Sequence, residues 1–118
     1  MVKRHDEQLN RIFGALSDPT RRAILERLAQ GERCVGELVE PLSISGPAVS
    51  RHLRVLERAG LLERTKTGRM RVCKFQPQQL DNATAWIEKH RAFWDDKFDA
   101  LTRYFEQTDE KKSKERMP

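Results

Sequence analysis

The apolar positions divide the chain into four short helices, a hairpin and one long helix. Leu9, Ile12, Phe13 and Leu16 fall at helical spacing, so residues 6–16 read as an amphipathic helix. Ser17 and Asp18 stop it. Asp18 before Pro19 restarts a second helix, because a carboxylate caps free backbone N–H groups and a proline at the first helical position gives up a donor that would have no partner there. Ala23, Ile24, Leu25 and Leu28 form its buried side, and Gly31 ends it. A third helix is expected over residues 35–40, with Leu38 and Val39 apolar and Pro41 closing it. After a tight turn, Ser45 caps a fourth helix with Pro47 in its first turn. Its Val49, Leu53 and Leu56 repeat at i, i+4 and i+7 as far as Gly60. Two helices joined by so few residues make a helix-turn-helix.

Beyond Gly60 the helical period gives way to alternation. Leu61 and Leu62, then Val72 and Phe75, stand among polar and basic positions on either side of Thr67, Gly68 and Arg69, which predicts a two-stranded hairpin with the glycine at its tip. A long helix returns over residues 80–105, carrying Trp86, Ile87, His90, Phe93, Trp94, Phe98, Leu101, Tyr104 and Phe105. Residues 107–118 are charged or polar almost throughout and read as a disordered tail. The expected fold class is therefore mainly α with a small β-hairpin, in the order α-α-α-α-β-β-α. It forms one domain over residues 1–106, a size that supports a single modest core.

Charged residues make up 35% of the chain and apolar residues 37%, so burial must be concentrated on a few faces. The net charge of +5 is uneven: residues 51–74 hold Arg51, Arg54, Arg58, Arg64, Lys66, Arg69, Arg71 and Lys74 against Glu57 and Glu63, a local net of +6. A basic block confined to one segment is the electrostatic footprint of a nucleic-acid face, although a solvated basic surface has the same composition. The fourth helix favours the first reading. Its Pro47, Ser50, Arg51, Arg54 and Arg58 line the side opposite Val49, Leu53 and Leu56. A helix built this way fits a major groove, where each base pair presents a distinct donor and acceptor pattern. Ser45, Pro47, Ala48, Ser50, Arg51, His52, Arg54 and Arg58 on this helix, with Lys66, Arg69 and Arg71 on the hairpin, are the candidate DNA-binding residues.

The strings SDPTRRAILERL and VGELVEPLSISGPAVSRHLRVLERAGLLE, followed by the TGR hairpin, resemble the ArsR family of bacterial winged-helix repressors over residues 9–105. The resemblance implies a homodimeric winged helix-turn-helix on an operator, with the fourth helix in the major groove and the hairpin as a wing beside it. Many relatives have glutamine where this chain has Gly46, so one side-chain contact at the helix start is absent. Metal-sensing relatives use a Cys-x-Cys pair at the third helix, whereas here Cys34 is followed by Gly36 in the second position. A single thiolate does not assemble a soft-metal site. The second family site, on the last helix, meets Glu88, His90, Asp95, Asp96 and Asp99 with only one histidine. No metal and no cofactor is expected, and no small-molecule effector is indicated. Cys34 lies near a helix start, where a thiol can be activated, so redox sensing stands as an alternative beside space filling for both Cys34 and Cys73.

Six of the eight aromatic residues lie on the last helix, more than a small domain needs for its own core. This predicts a dimer with a seam of Leu9 and Phe13 from the first helix and Ile87, His90, Trp94, Phe98, Leu101 and Phe105 from the last. No nucleophile with a base, paired carboxylates or phosphate loop points to an enzyme. Single-strand binding needs stacking platforms, and no aromatic residue lies between Phe13 and Phe75. No apolar run reaches membrane-spanning length, and charges in MVKRHDEQLNRIF oppose a secretion signal, so the expected location is the cytoplasm. The chain thus reads as a sequence-specific regulator of double-stranded DNA, a repressor on an inverted repeat. A non-specific architectural DNA binder, or a redox- or metal-responsive repressor, is the alternative.

Overall fold

In the computed structural model, which describes residues 4–115, the first helix α1 (Arg4–Leu16) starts two residues before the expected position and buries Leu9, Ile12 and Ala15. Its last carbonyls are closed by side chains that follow it: Ser17 Oγ donates to Gly14 O at 2.6 Å and Arg22 Nη1 to Leu16 O at 2.7 Å. Asp18 is the N-cap of α2 (Pro19–Leu28), with its carboxylate accepting from Arg21 N at 3.0 Å and Pro19 in the first turn. Ile24, Leu25 and Leu28 are its buried side.

The chain then runs through β1 (Arg33–Cys34) into α3 (Val35–Val39). Pro41 does not simply close this helix. Glu40–Leu42 continues as one 3₁₀ turn with Pro41 near its start, a place where the missing N–H costs no hydrogen bond. Ser43 takes up the left-handed conformation, φ 52°, that makes the turn tight, and Ser45 caps α4 (Gly46–Arg58) by accepting from Ala48 N at 3.3 Å. Val49, Leu53 and Leu56 are buried as their spacing predicts.

The wing is β2 (Leu62–Thr67) and β3 (Met70–Phe75), paired antiparallel from Leu62 opposite Phe75 to Thr67 opposite Met70. Gly68, φ +64°, holds the first position of the two-residue turn, which needs a positive φ in a hairpin of this length. The expected two-stranded hairpin is a three-stranded sheet in the order β1-β3-β2, because Arg33 and Cys34 lie along β3 opposite Cys73 and Val72. Two residues are too short a run for alternation to show in a sequence.

The last helix, α5 (Gln78–Glu115), is longer than expected at both ends: residues 107–115, expected to be disordered, are helical, and residues 116–118 lie outside the described part. Polarity argued for disorder, but the segment holds no proline or glycine before Pro118, and Lys, Glu, Gln and Arg are all good helix formers. The chain falls into two compact units, Met1–Ala83 and Thr84–Pro118. The first has a core in which Ile24, Leu38, Leu53, Leu56, Leu61 and Cys73 are wholly buried. In the second, none of residues 84–110 is buried. Among the described residues no helix is long and apolar enough to cross a membrane.

Leu53 is 1% exposed, so Leu53→Ala is expected to cost about 2–5 kcal/mol in denaturant unfolding, while exposed Arg54→Ala should stay within about 0.5 kcal/mol of the parent. Equal effects would mean that α4 does not bury the side described. The Asp18 carboxyl is held below its ordinary value, first by the hydrogen bond from Arg21 N, with burial partly opposing and the Arg21 and His52 charges adding to it. A depressed carboxyl contributes stability that is present above its unfolded value and lost as pH falls through the folded one. Asp18→Asn keeps a good cap but cannot titrate, so its stability should fall less than the parent's between about pH 5 and about pH 3. An identical fall in both proteins would remove Asp18 from the acid response.

Candidate nucleic-acid interface

The 100° step of a helix separates the two sides of α4 cleanly. Val49, Leu53 and Leu56 anchor it, and Pro47, Ser50, Arg51, Arg54 and Arg58 are all exposed on the opposite crest. Ser45, also exposed, spends its hydroxyl on the cap. Ala48 and His52 fall on the flank between crest and core and are half-buried.

The other flank of α4 meets the wing. Arg64 Nε and Nη2 donate to the two Glu57 carboxylate oxygens at 3.2 and 3.0 Å, a fork-to-fork contact that sets distance and orientation together. The Arg64 hydrogen bonds hold the Glu57 carboxyl below its usual range against partial burial, and Glu57 in turn raises Arg64. Arg64, Thr65, Lys66 and Arg71 line an open recess of about 290 Å³ on the wing, and Lys66, Arg69 and Arg71 are exposed. The sequence counted Arg64 and Glu57 only as charges. Their pairing joins a helix to a strand, and nothing in their spacing announces it.

His52, another of the expected DNA-binding residues, stands on the flank of α4 rather than on its crest. Its Nδ1 meets the corner between α1 and α2, with Arg21 Nη1 at 3.3 Å and Asp18 Oδ2 at 3.9 Å. Arg21 is the residue that sequence reasoning passed over: its Nε donates to Ala15 O at 2.8 Å and its Nη2 to Gly14 O at 2.9 Å, so one guanidinium joins the end of α1 to the side of α4.

On α5, Ile87, Trp94, Phe98, Leu101 and Phe105 are 47 to 59% exposed and recur at intervals of seven, four, three and four residues. Trp86, Phe93 and Tyr104 widen the same apolar strip and are exposed as well. Trp94 packs only loosely along the helix, against Phe93 and Phe98 at ring-centroid distances of 5.7 and 6.2 Å. His90 stacks on Trp86 at 4.0 Å, with Nδ1 2.9 Å from Trp86 O. Phe13 is half-buried. Leu9, expected at a seam between subunits, is buried in the chain itself at 6% exposure, because it shares the inward side of α1 with Ile12.

Cys34 and Cys73 are free thiols on neighbouring strands, each opposite a different residue of the ladder. The helix start does not activate Cys34. Burial and the adjacent Glu37 carboxylate push the thiol up from its usual value, and burial does the same to Cys73. Among the described residues no group of three or more His, Cys, Asp and Glu is placed to hold a metal ion.

Residues 18–64, from the cap of α2 into β2, match the model of the bacterial regulatory protein arsR family. The chain is 49% identical over 71 residues, 66% of the relative's length, to the HTH-type transcriptional regulator Rv2034 of Mycobacterium tuberculosis. It is 33% identical over 79 residues, 88% of the relative's length, to the transcriptional repressor SdpR of Bacillus subtilis. Among solved structures, the ArsR family transcriptional regulator RHA00566 superposes with a TM-score of 0.74 at 38% identity, covering 80% of this chain and 97% of that one. A homodimeric winged helix-turn-helix DNA-binding domain from Mycobacterium bovis does so with a TM-score of 0.58 at 25% identity, covering 74% and 82%. The chain belongs to the ArsR family of winged helix-turn-helix, DNA-binding transcriptional regulators.

Proposed function

We propose that this chain is a sequence-specific repressor acting in the cytoplasm as a homodimer on an inverted-repeat operator. In this reading α4 lies in the major groove, the wing rests on the flanking backbone, and residues 1–106 carry both DNA binding and dimerisation. The observation that carries it is the crest of α4: Ser50, Arg51, Arg54 and Arg58 exposed together on a helix whose opposite side is wholly buried. Arginine's planar fork suits guanine edges, and the first turns of a recognition helix are the part that reaches bases. Support for the dimer comes from the apolar strip of α5, whose seven-residue recurrence is that of a helix packed on another helix, and from the homodimeric relative.

Selecting bound duplexes from a random pool tests the sequence preference directly: an inverted repeat should be enriched, and an unselective pool would mark an architectural binder instead. Arg51 and Arg69 should then separate. Arg51→Ala is expected to lose about 1–3 kcal/mol on the selected operator and little on scrambled duplex. Arg69→Ala should weaken both duplexes similarly and lower the salt slope by about one. Exchanged patterns, measured at two salt concentrations, would refute this placement of helix and wing.

Trp94→Glu leaves the monomer little changed, since Trp94 is already 56% exposed, but puts a charge into an apolar seam. Sedimentation should show a dimer for the parent at micromolar concentration and a monomer for Trp94→Glu, with operator affinity reduced in parallel. A monomeric parent would refute the dimer.

A further inference from the structure

The flank of α4 away from the wing carries a chain of donors that ends at the protein surface. A guanidinium has donors only, so as a hydrogen bond the 3.3 Å contact between Arg21 Nη1 and His52 Nδ1 has Nδ1 accepting; Asp18 Oδ2, which would favour a proton on the same nitrogen, stands farther off at 3.9 Å, beyond hydrogen-bond reach. The other two Arg21 nitrogens are committed to the Ala15 and Gly14 carbonyls, and Asp18, which caps the turn by accepting from Arg21 N, fixes the backbone of the same residue. Arg21 is therefore held at all three nitrogens and at its N–H. With Nδ1 accepting, a neutral imidazole carries its proton on Nε2. The His52 side chain is 22% exposed, and among the described residues its Nε2 is not one of the buried side-chain nitrogens left without a partner. His52 lines an open recess of about 310 Å³ together with Arg21, Ala48, Arg51 and Val55, with no carboxylate in the lining.

We propose that His52 donates its Nε2–H to a phosphate oxygen of the strand bordering the groove that holds α4. We further propose that Arg21 is the positioning residue that fixes the ring in the one neutral tautomer able to do so. The proposal rests on the reading of this chain as a double-stranded DNA regulator. A phosphate, rather than a base edge, follows from position: His52 lies on the flank of α4, and the flanks of a helix in a groove face the groove walls. The tautomer decides the sign of the contact, because phosphate oxygens only accept. Nε2–H is attracted to one, whereas the other tautomer would present a lone pair to it.

Two measurements test this. At about pH 8.5, where a free imidazole is neutral, long-range proton–nitrogen spectra of the unbound parent should show His52 protonated at Nε2 alone, with the Nδ1 signal moving towards the free-imidazole mixture in Arg21→Met. In binding measured at that same pH, His52→Ala should weaken operator and scrambled duplex alike, by about 3- to 10-fold, with the salt slope unchanged because a neutral donor releases no counterion. Arg21→Met should act in the same direction and add little in a His52→Ala background, whereas a purely structural role of Arg21 would add in full. A proton on Nδ1, or fully additive losses, overturns the positioning role. A protein that binds its operator, loses preference in Arg51→Ala and is indifferent to His52→Ala overturns the phosphate contact alone. A parent that binds no duplex overturns the regulator reading and the contact together, and the spectra still report on Arg21 and His52.

Discussion

The exposed basic face depends on how α4 is held. A helix that must offer one side to a partner can bury only the other, and Val49, Leu53 and Leu56 provide that burial. An apolar contact is non-directional, however, and fixes depth better than rotation. Rotation is set by polar contacts on the two flanks: Glu57 gripped by Arg64 of the wing, and His52 met by Arg21 from the corner of α1 and α2. The end of α4 is tied as well, since Gln8 Nε2 of α1 donates to Ala59 O at 3.1 Å. Gly60 then lets the chain turn with φ +74°, and a Cβ there would stand 2.8 Å from Gln79 Cγ.

The same arrangement sorts the charges. Of the acidic groups in or beside the basic segment, Glu57 is paired with Arg64, Glu63 accepts from Gln76 Nε2, and Asp18 caps α2 beside His52 and Arg21. Arg51, Arg54, Arg58, Lys66, Arg69 and Arg71 take part in no ion pair among the described residues. Like charges left unpaired on one face repel one another and cost the folded state some stability. A polyanion relieves that repulsion and adds the entropy of released counterions, which is why such a face suits a phosphate backbone better than it suits water.

What the sequence made legible follows from the range of each signal. Caps, prolines and apolar periods act within a few residues, so Asp18, Ser45, the buried sides of α2 and α4 and the hairpin tip at Gly68 could all be placed in advance. Contacts between elements are another matter. Arg21 to His52 spans 31 positions and Gln8 to Ala59 spans 51, with no pattern to announce either. β1 was missed because two residues cannot show a period, and the end of α5 because polarity speaks for solvent exposure and not against helix. The outward row of α4 was readable as a row. How deeply the residues outside such a row are covered was not, as half-buried His52 on the flank of α4 and buried Leu9 on the inward side of α1 show.

The two units solve the burial problem differently. Residues up to Ala83 close a core with aliphatic side chains, while beyond it Trp86, Phe93, Trp94, Phe98, Tyr104 and Phe105 are all more than 40% exposed. Most helical stability in proteins comes from packing one apolar face rather than from propensity, and ion pairs such as Arg91 with Glu88 and Asp95 on the surface of α5 contribute only tenths of a kcal/mol each. A long helix with its aromatic strip in water is therefore the part of this chain whose order depends most on a second surface. Under the proposed homodimer that surface is the same strip on another copy, so the stability of α5 becomes a function of protein concentration, as linkage requires. The paired half-sites of an inverted repeat then favour the dimer in turn: DNA binding and the ordering of α5 stabilise each other, although no residue of α5 need touch the duplex.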